Sequence, residues 1–116
     1  MDRNQFKIFG NQSEDLATEF LENNGFRIMD RNFYAKKMGE IDIIAIKDEI
    51  IHFIEVKSSS NNNYEPIYNI TPLKLRKIIK SSQYYLKQKK LTNLAFCIDA
   101  LIIKNGEIDM IENITI

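Results

Sequence analysis

The chain has one cysteine, one histidine, no net charge and no long apolar run, and each shortage removes a class of protein. A lone Cys97 cannot close an internal disulfide, and its apolar setting reads as a small buried residue in a reducing compartment. It has no evident triad partner, so a cysteine nucleophile is not expected. With a single histidine, His52, there is no Cys/His cluster of the kind that holds zinc, and a hydrogen-bonded structural histidine is the expectation. No segment approaches the roughly 18–20 apolar residues of a membrane span. Met1-Asp2-Arg3-Asn4-Gln5 lacks the charged-then-apolar form of a secretory signal, so the expected location is cytoplasmic, with no membrane partner. Sixteen basic residues against sixteen acidic ones argue against a histone-like polyanion binder. No internal repeat is visible, and low complexity is confined to the Ser/Asn segment 58–63. A length of 116 residues suits one domain, 1–116.

What the sequence does have is an isoleucine-rich hairpin with acids planted in it. The strings Gly39-Glu40-Ile41-Asp42-Ile43-Ile44-Ala45 and Phe53-Ile54-Glu55-Val56-Lys57 flank a short charged break. A two-residue loop at Asp48-Glu49 sets Lys47 opposite Ile50 and Asp42 opposite Glu55. Their Cβ atoms would then lie roughly 4.5–5.5 Å apart on one face. Lys57 joins that face about 7 Å further along. A four-residue loop keeps this pairing; a three-residue loop turns Asp42 away. Asp-Glu is not a favoured turn dipeptide. Like charges facing each other in a sheet are destabilising unless compensated, and a hard cation with oxygen ligands compensates them. The pattern therefore points to a metal-dependent phosphodiester site.

Around the hairpin, a first helix is expected over about Ser13–Asn23, capped by Ser13 or Asn11 and stopped at Asn24-Gly25. Leu16, Ala17, Phe20 and Leu21 form its apolar stripe. Glu14 sits at the stripe's margin, either leaning toward Asp42 and Glu55 or complementing the helix dipole. Phe26 to Tyr34 reads as a strand. Glu40 would face Lys57, with an edge ion pair the simpler reading. The polar stretch 58–69 carries Tyr64 and Tyr68, which suit base stacking or ordinary loop packing. Thr71-Pro72 opens a second helix, whose core stripe is Leu75, Ile78, Ile79, Ser82, Tyr85 and Leu86. Residues 71–90 hold seven basic residues and no acid. Lys74, Lys77 and Lys80, spaced by three, form an exposed row that is either a phosphate-facing strip or a solvated face. Gln83 on the same helix could reach a phosphate or a water. Strands over 94–103 and 108–114 are joined at Asn105-Gly106. Asp99 interrupts the first of them, either supporting the site or sitting as a capped or edge aspartate. The element order, helix, three strands, helix, two strands, describes a mixed α/β domain with helices on a central sheet of about five strands.

Ile41-Asp42, twelve residues, then Glu55-Val56-Lys57 resembles the PD-(D/E)xK nuclease signature. The wider strings resemble the small bacterial YraN-like family, regarded as related to archaeal Holliday junction resolvases. The likeness extends upstream to Gly10, Glu14, Ala17, Leu21, Gly25 and Arg31-Asn32, and downstream to the lysine-rich helix and the strand around Asp99. It implies a restriction-endonuclease-like α/β fold, Mg²⁺ or Mn²⁺ as cofactor, and nucleic acid as substrate. DNA, including branched, Holliday-junction-like DNA, is the expected form. By position Asp42, Glu55 and Glu14 would be metal ligands and Lys57 the catalytic lysine. Lys74, Lys77, Lys80, Gln83 and Tyr64 are the candidates for nucleic-acid contact. Resolvase-like nucleases are often homodimers, so a dimer is expected by analogy. Three departures stand out: Ser13 where the family often has glycine, Ser58-Ser59-Ser60 where a basic residue often follows, and Ile41 where proline is usual. A nucleic-acid-binding module with a vestigial or partner-dependent site is the rival reading.

Overall fold

Hydrophobic period switches from helical to strand-like and back along the chain, and the elements follow it. A computed structural model describes residues 3–59 and 70–115, and side chains from residue 12 onward apart from that of residue 59. The order is α1 (Arg3–Asn23), β1 (Arg27–Tyr34), a 3-10 turn (Lys36–Met38), β2 (Glu40–Lys47), β3 (Ile50–Ser59), α2 (Pro72–Gln88), β4 (Ala95–Lys104) and β5 (Glu107–Ile111). The strands form one mixed sheet in the order β1-β2-β3-β4-β5. Only the β3–β4 pair is parallel, and α2 lies in the crossover between those two strands. This is a mixed α/β sheet flanked by helices, as expected, and consistent with a restriction-endonuclease-like fold. No helix among the described residues is long and apolar enough to cross a membrane.

The helices cover opposite faces. Ala17 and Leu21 of α1 pack with Phe26, Ile43, Ala45, Ile54, Leu101 and Ile103. Ile78, Tyr85 and Leu86 of α2 pack with Ile41, Ile44, Ile51, Phe53 and Ile98. Tyr85 is the hub of the second layer: its ring meets Phe33 and Phe53 edge-on, and its hydroxyl donates to Asp30 Oδ2 at 2.7 Å. At its other end α2 is capped as the sequence predicts, with Thr71 Oγ1 accepting from the Lys74 amide at 3.1 Å and Pro72 opening the first turn. Two expectations for α1 fail. The helix begins at Arg3 rather than near Ser13, because Gly10 weakens a helix by only about 1 kcal/mol and nothing else in the segment breaks it. Leu16 is exposed, leaving a stripe narrower than the sequence suggested.

Turn geometry sets the hairpin register. Asp48 and Glu49 both adopt the left-handed conformation, φ 53° and 66°, which makes a two-residue turn of the type that matches strand twist. Lys47 consequently pairs with Ile50, and the pairing runs in register to Ile43 opposite Ile54. Further along, side-chain alternation breaks in two strands at one level. Arg31 reaches α1 acids and its partner Ile43 packs on the α1 side. Two residues on, Phe33 and its partner Ile41 pack on the α2 side instead. Asn32, φ 53°, lies in the middle of this switch, and Asp42 lies across from it between Ile41 and Ile43. A left-handed residue rotates the strand, and asparagine tolerates that conformation better than most side chains.

Asn32→Gly should therefore be close to neutral in chemical denaturation. Asn32→Val should lose roughly 1–2 kcal/mol, the penalty for a β-branched residue at positive φ. Equal stabilities would mean that Asn32 does not impose the switch.

Candidate functional site

The site grows from the point where two strands part. The β2–β3 ladder stops at Ile43 opposite Ile54, whereas β3 stays paired to β4 out to Ser59. In a continued ladder the Val56 amide would face Ile41; it donates instead to Asp42 Oδ2 at 2.8 Å. The carboxylate thus replaces a backbone carbonyl and sits in the opening between the strands. The expected register holds from Lys47–Ile50 to Ile43–Ile54, and the ladder ends one pair short of Asp42 and Glu55.

Burial pushes the Asp42 carboxyl up to about 7, helped by the nearby Glu55 charge and, more weakly, by Glu14 and Glu40, while the Val56 amide pulls it down. Glu55 is buried and accepts Lys74 Nζ at 2.8 Å and Lys57 Nζ at 3.4 Å on the same oxygen. Burial, followed by the neighbouring Lys74, holds Lys57 below its usual range, with Glu55 opposing. Lys74 is also pulled down by burial, but its bond to the Glu55 carboxylate outweighs this and holds it above its usual range. Of the two lysines on one carboxylate, Lys74 keeps its proton more firmly.

Glu14 arrives from α1. Ser13 Oγ donates to Ser58 Oγ at 3.1 Å, tying the helix to the end of β3 directly after Lys57. Two of the departures from the family pattern, Ser13 and Ser58, are therefore bonded to each other. Arg31 Nη2 pairs with Asp15 at 2.8 Å but stays 3.8 Å from Glu14 Oε1, beyond hydrogen-bond reach. That buried Glu14 oxygen has no hydrogen-bond partner. Glu14 and Asp42 offer the hard oxygen donors that a divalent cation takes, and such a charge would relieve the repulsion on Asp42.

Several candidates change place. Glu40 does not pair with Lys57, because Lys57 turns to Glu55; Glu40 stays exposed across from Tyr34 and acts on Asp42 at longer range. Lys74 leaves the exposed row to bind Glu55. Lys77 lines a recess with Lys74, Met38, Gly39, Glu40, Ile78 and Ser81, and Ser81 Oγ donates to the Met38 carbonyl at 3.2 Å. Lys80 is exposed, and Gln83 is exposed about 13 Å up the helix from Lys74. Tyr64 and Tyr68 lie outside the described residues. Asp99 neither joins the acids nor sits at an edge: it is fully buried on the α1 side, bonded to His52. Hence His52 is hydrogen-bonded as expected, yet His52, Cys97 and Asp99 do converge, a grouping the sequence did not suggest. Sequence reasoning missed Lys74 as a partner of Glu55; its position at the first turn of a helix, where a cation opposes the dipole, was the available signal.

Residues 13–103 match the family described as "Uncharacterised protein family UPF0102". A UPF0102 protein of Sulfurovum sp. (strain NBC37-1) is 57% identical over 110 residues, covering 95% of this chain and 96% of that one. One from Wolinella succinogenes is 60% identical over 107 residues, covering 92% and 95%. One from Helicobacter pylori (strain HPAG1) is 53% identical over 112 residues, covering 97% and 95%.

An aspartate with a raised folded pKa weakens the fold as pH climbs from about 4 toward about 7, since the unfolded chain ionises first; above about 7 the penalty is constant. Asp42→Asn keeps an acceptor for the Val56 amide and removes the charge. Without divalent ions it should raise stability at pH 8 by on the order of 1–3 kcal/mol, with the gain vanishing near pH 4. A gain independent of pH, or a loss at pH 8, would contradict the repulsion described.

Proposed function

We infer function from one premise: the chain belongs to the UPF0102 family, the YraN-like relatives of the PD-(D/E)xK nucleases. We propose that it is a metal-dependent nuclease of the cytoplasm, hydrolysing phosphodiester bonds in DNA, with branched DNA the preferred form. The observation that supports the proposal is a buried Asp42 carboxyl at the opening between β2 and β3, acted on by the charges of Glu55 and Glu14, with Lys57 on Glu55. Asp42, Glu55 and Glu14 would hold Mg²⁺ or Mn²⁺. When bound, the ion would polarise the phosphate and lower the pKa of attacking water.

The remaining steps belong to side chains. Lys57, held below its ordinary pKa beside Glu55, can orient a water and accept part of its proton. Lys74 acts as internal counter-ion to Glu55 before the substrate arrives. Once the carboxylates are otherwise neutralised, Lys74 is free to meet a phosphate oxygen, together with Lys77 across the shared recess and the amino end of α2. Arg31 holds Asp15 and keeps α1 against β1, so Glu14 is positioned rather than free to rotate away.

Purified protein with Mn²⁺ should cut linear, nicked or four-way DNA, and Asp42→Asn should abolish cutting while remaining folded. Mn²⁺ should also raise the melting temperature of the wild type but not of Asp42→Asn. Equal activity in both proteins on every substrate would end the enzyme reading. The second reading, a DNA-binding module without turnover, draws on the Lys74–Glu55 pair, which neutralises that carboxylate without a metal. Salt-sensitive DNA binding that persists in EDTA, with no cleavage, would favour it. Lys74→Met separates the two roles of that lysine: Mn²⁺ should bind several-fold tighter, because its competitor for Glu55 is gone, and DNA should bind more weakly.

A further inference from the structure

On the opposite face of β3 from Glu55, three chemically different ligand groups meet. His52 Nδ1 lies 2.5 Å from Asp99 Oδ2 and 3.2 Å from Cys97 Sγ, and Sγ lies 3.4 Å from Asp99 Oδ1. One ligand atom from each residue fits within a 4.8 Å span. His52 and Cys97 are register partners on β3 and β4, and Asp99 follows two residues on, so the pleat turns all three to one side. We propose that His52, Cys97 and Asp99 form a second metal site, distinct from the carboxylate site, for a borderline-soft divalent transition ion such as Zn²⁺.

Dimensions favour it. A tetrahedral zinc with ordinary Zn–N and Zn–S bonds separates those two ligand atoms by about 3.5 Å. The present sulfur contacts are already 3.2 and 3.4 Å, so they need open only slightly. The His52–Asp99 hydrogen bond would give way to the ion, with the neutral ring carrying its proton on Nε2 so that Nδ1 is free to coordinate, and the two groups moving apart to ordinary ligand spacing. Ligand type also discriminates: imidazole and thiolate select Zn²⁺ over Mg²⁺, whereas a site of carboxylates alone selects the hard ion.

The surroundings supply what a metal site needs. Asp99 is fully buried and its Oδ1 accepts the Asn113 amide at 2.8 Å, which fixes the carboxylate as outer hydrogen bonds do for metal ligands. Entry is available through a recess lined by Phe26, Lys47, Asp48, Ile50, His52 and Glu112. Glu112 lies close enough to act on the Cys97 thiol, and it or a water can complete the coordination. Burial pushes that thiol up to about 12, with Asp99 and Glu112 adding to the effect. A dication reverses the push of both carboxylates, so binding releases the thiol proton to solvent and strengthens with rising pH. The consequence is a staple joining β3, β4 and the segment after β5, whose Ile114 amide also bonds the Ile98 carbonyl.

Because Cys97 is the only thiol, Co²⁺ serves as an unambiguous probe. Titrating the full chain with Co²⁺ should give one equivalent of tetrahedral visible bands with a near-ultraviolet thiolate charge-transfer band, and Zn²⁺ should displace both. Cys97→Ser should lose the charge-transfer band, and Asp42→Asn should retain it. Should Cys97→Ser fail to fold, the wild type still answers: Zn²⁺ should slow the reaction of Cys97 with a thiol reagent. Absence of a thiolate band at millimolar Co²⁺, its loss in Asp42→Asn, its persistence in Cys97→Ser, or unchanged Cys97 reactivity in Zn²⁺ would each overturn the proposal.

Discussion

Repulsion among half-hidden carboxylates governs the open end of this sheet. Asp42, Glu55 and Glu14 come from two strands and a helix, and nothing in hydrophobic packing requires acids there. Local devices hold them. A backbone amide clamps Asp42, two lysines share Glu55, and a serine–serine bond with an arginine keeps α1 in place. Each device is an ordinary hydrogen bond or ion pair worth little alone. Together they hold the acids at the open end of a sheet that two apolar layers stabilise elsewhere.

The parting of β2 and β3 and the repulsion explain each other. A continued ladder would bring Val56 to the Ile41 carbonyl and leave Asp42 pressed on Glu55 with no amide to stabilise it. The left-handed Asn32, across from Asp42, turns β1 and β2 at the same level and makes room. Strain at one residue of a neighbouring strand thus opens the space that another residue's charge needs. Placing strained backbone beside chemistry in this way is a recurring pattern.

Much of this could be read from the chain. Isoleucine alternation, with two charged residues between the runs, gave the hairpin; Thr71-Pro72 gave the start of α2; Asn105-Gly106 gave the last turn. The hairpin register needed one further fact, that Asp48 and Glu49 both take positive φ, which their residue types do not advertise. What the sequence hid depends on contacts distant along the chain. Lys74 looked like one member of a helical row because its partner lies on a different element. Ser13 and Ser58 looked like separate departures from a family pattern, and only folding shows them bonded to each other. His52, Cys97 and Asp99 escaped notice because cluster rules look for nearby repeats of one residue type, whereas parallel pairing of β3 and β4 joins residues some forty-five positions apart.

The central strand β3 carries Glu55 toward α2 and His52 toward α1, three residues apart. The pleat therefore works as a partition, with the Glu55 carboxylate on one side and the His52 imidazole on the other. Inserting or deleting one residue between His52 and Glu55 would rotate everything beyond it by half a turn. Both faces would be scrambled in a single event, with the carboxylate driven into the hydrocarbon beneath α1. That short stretch of β3 therefore acts as a ruler that neither side can alter without the other.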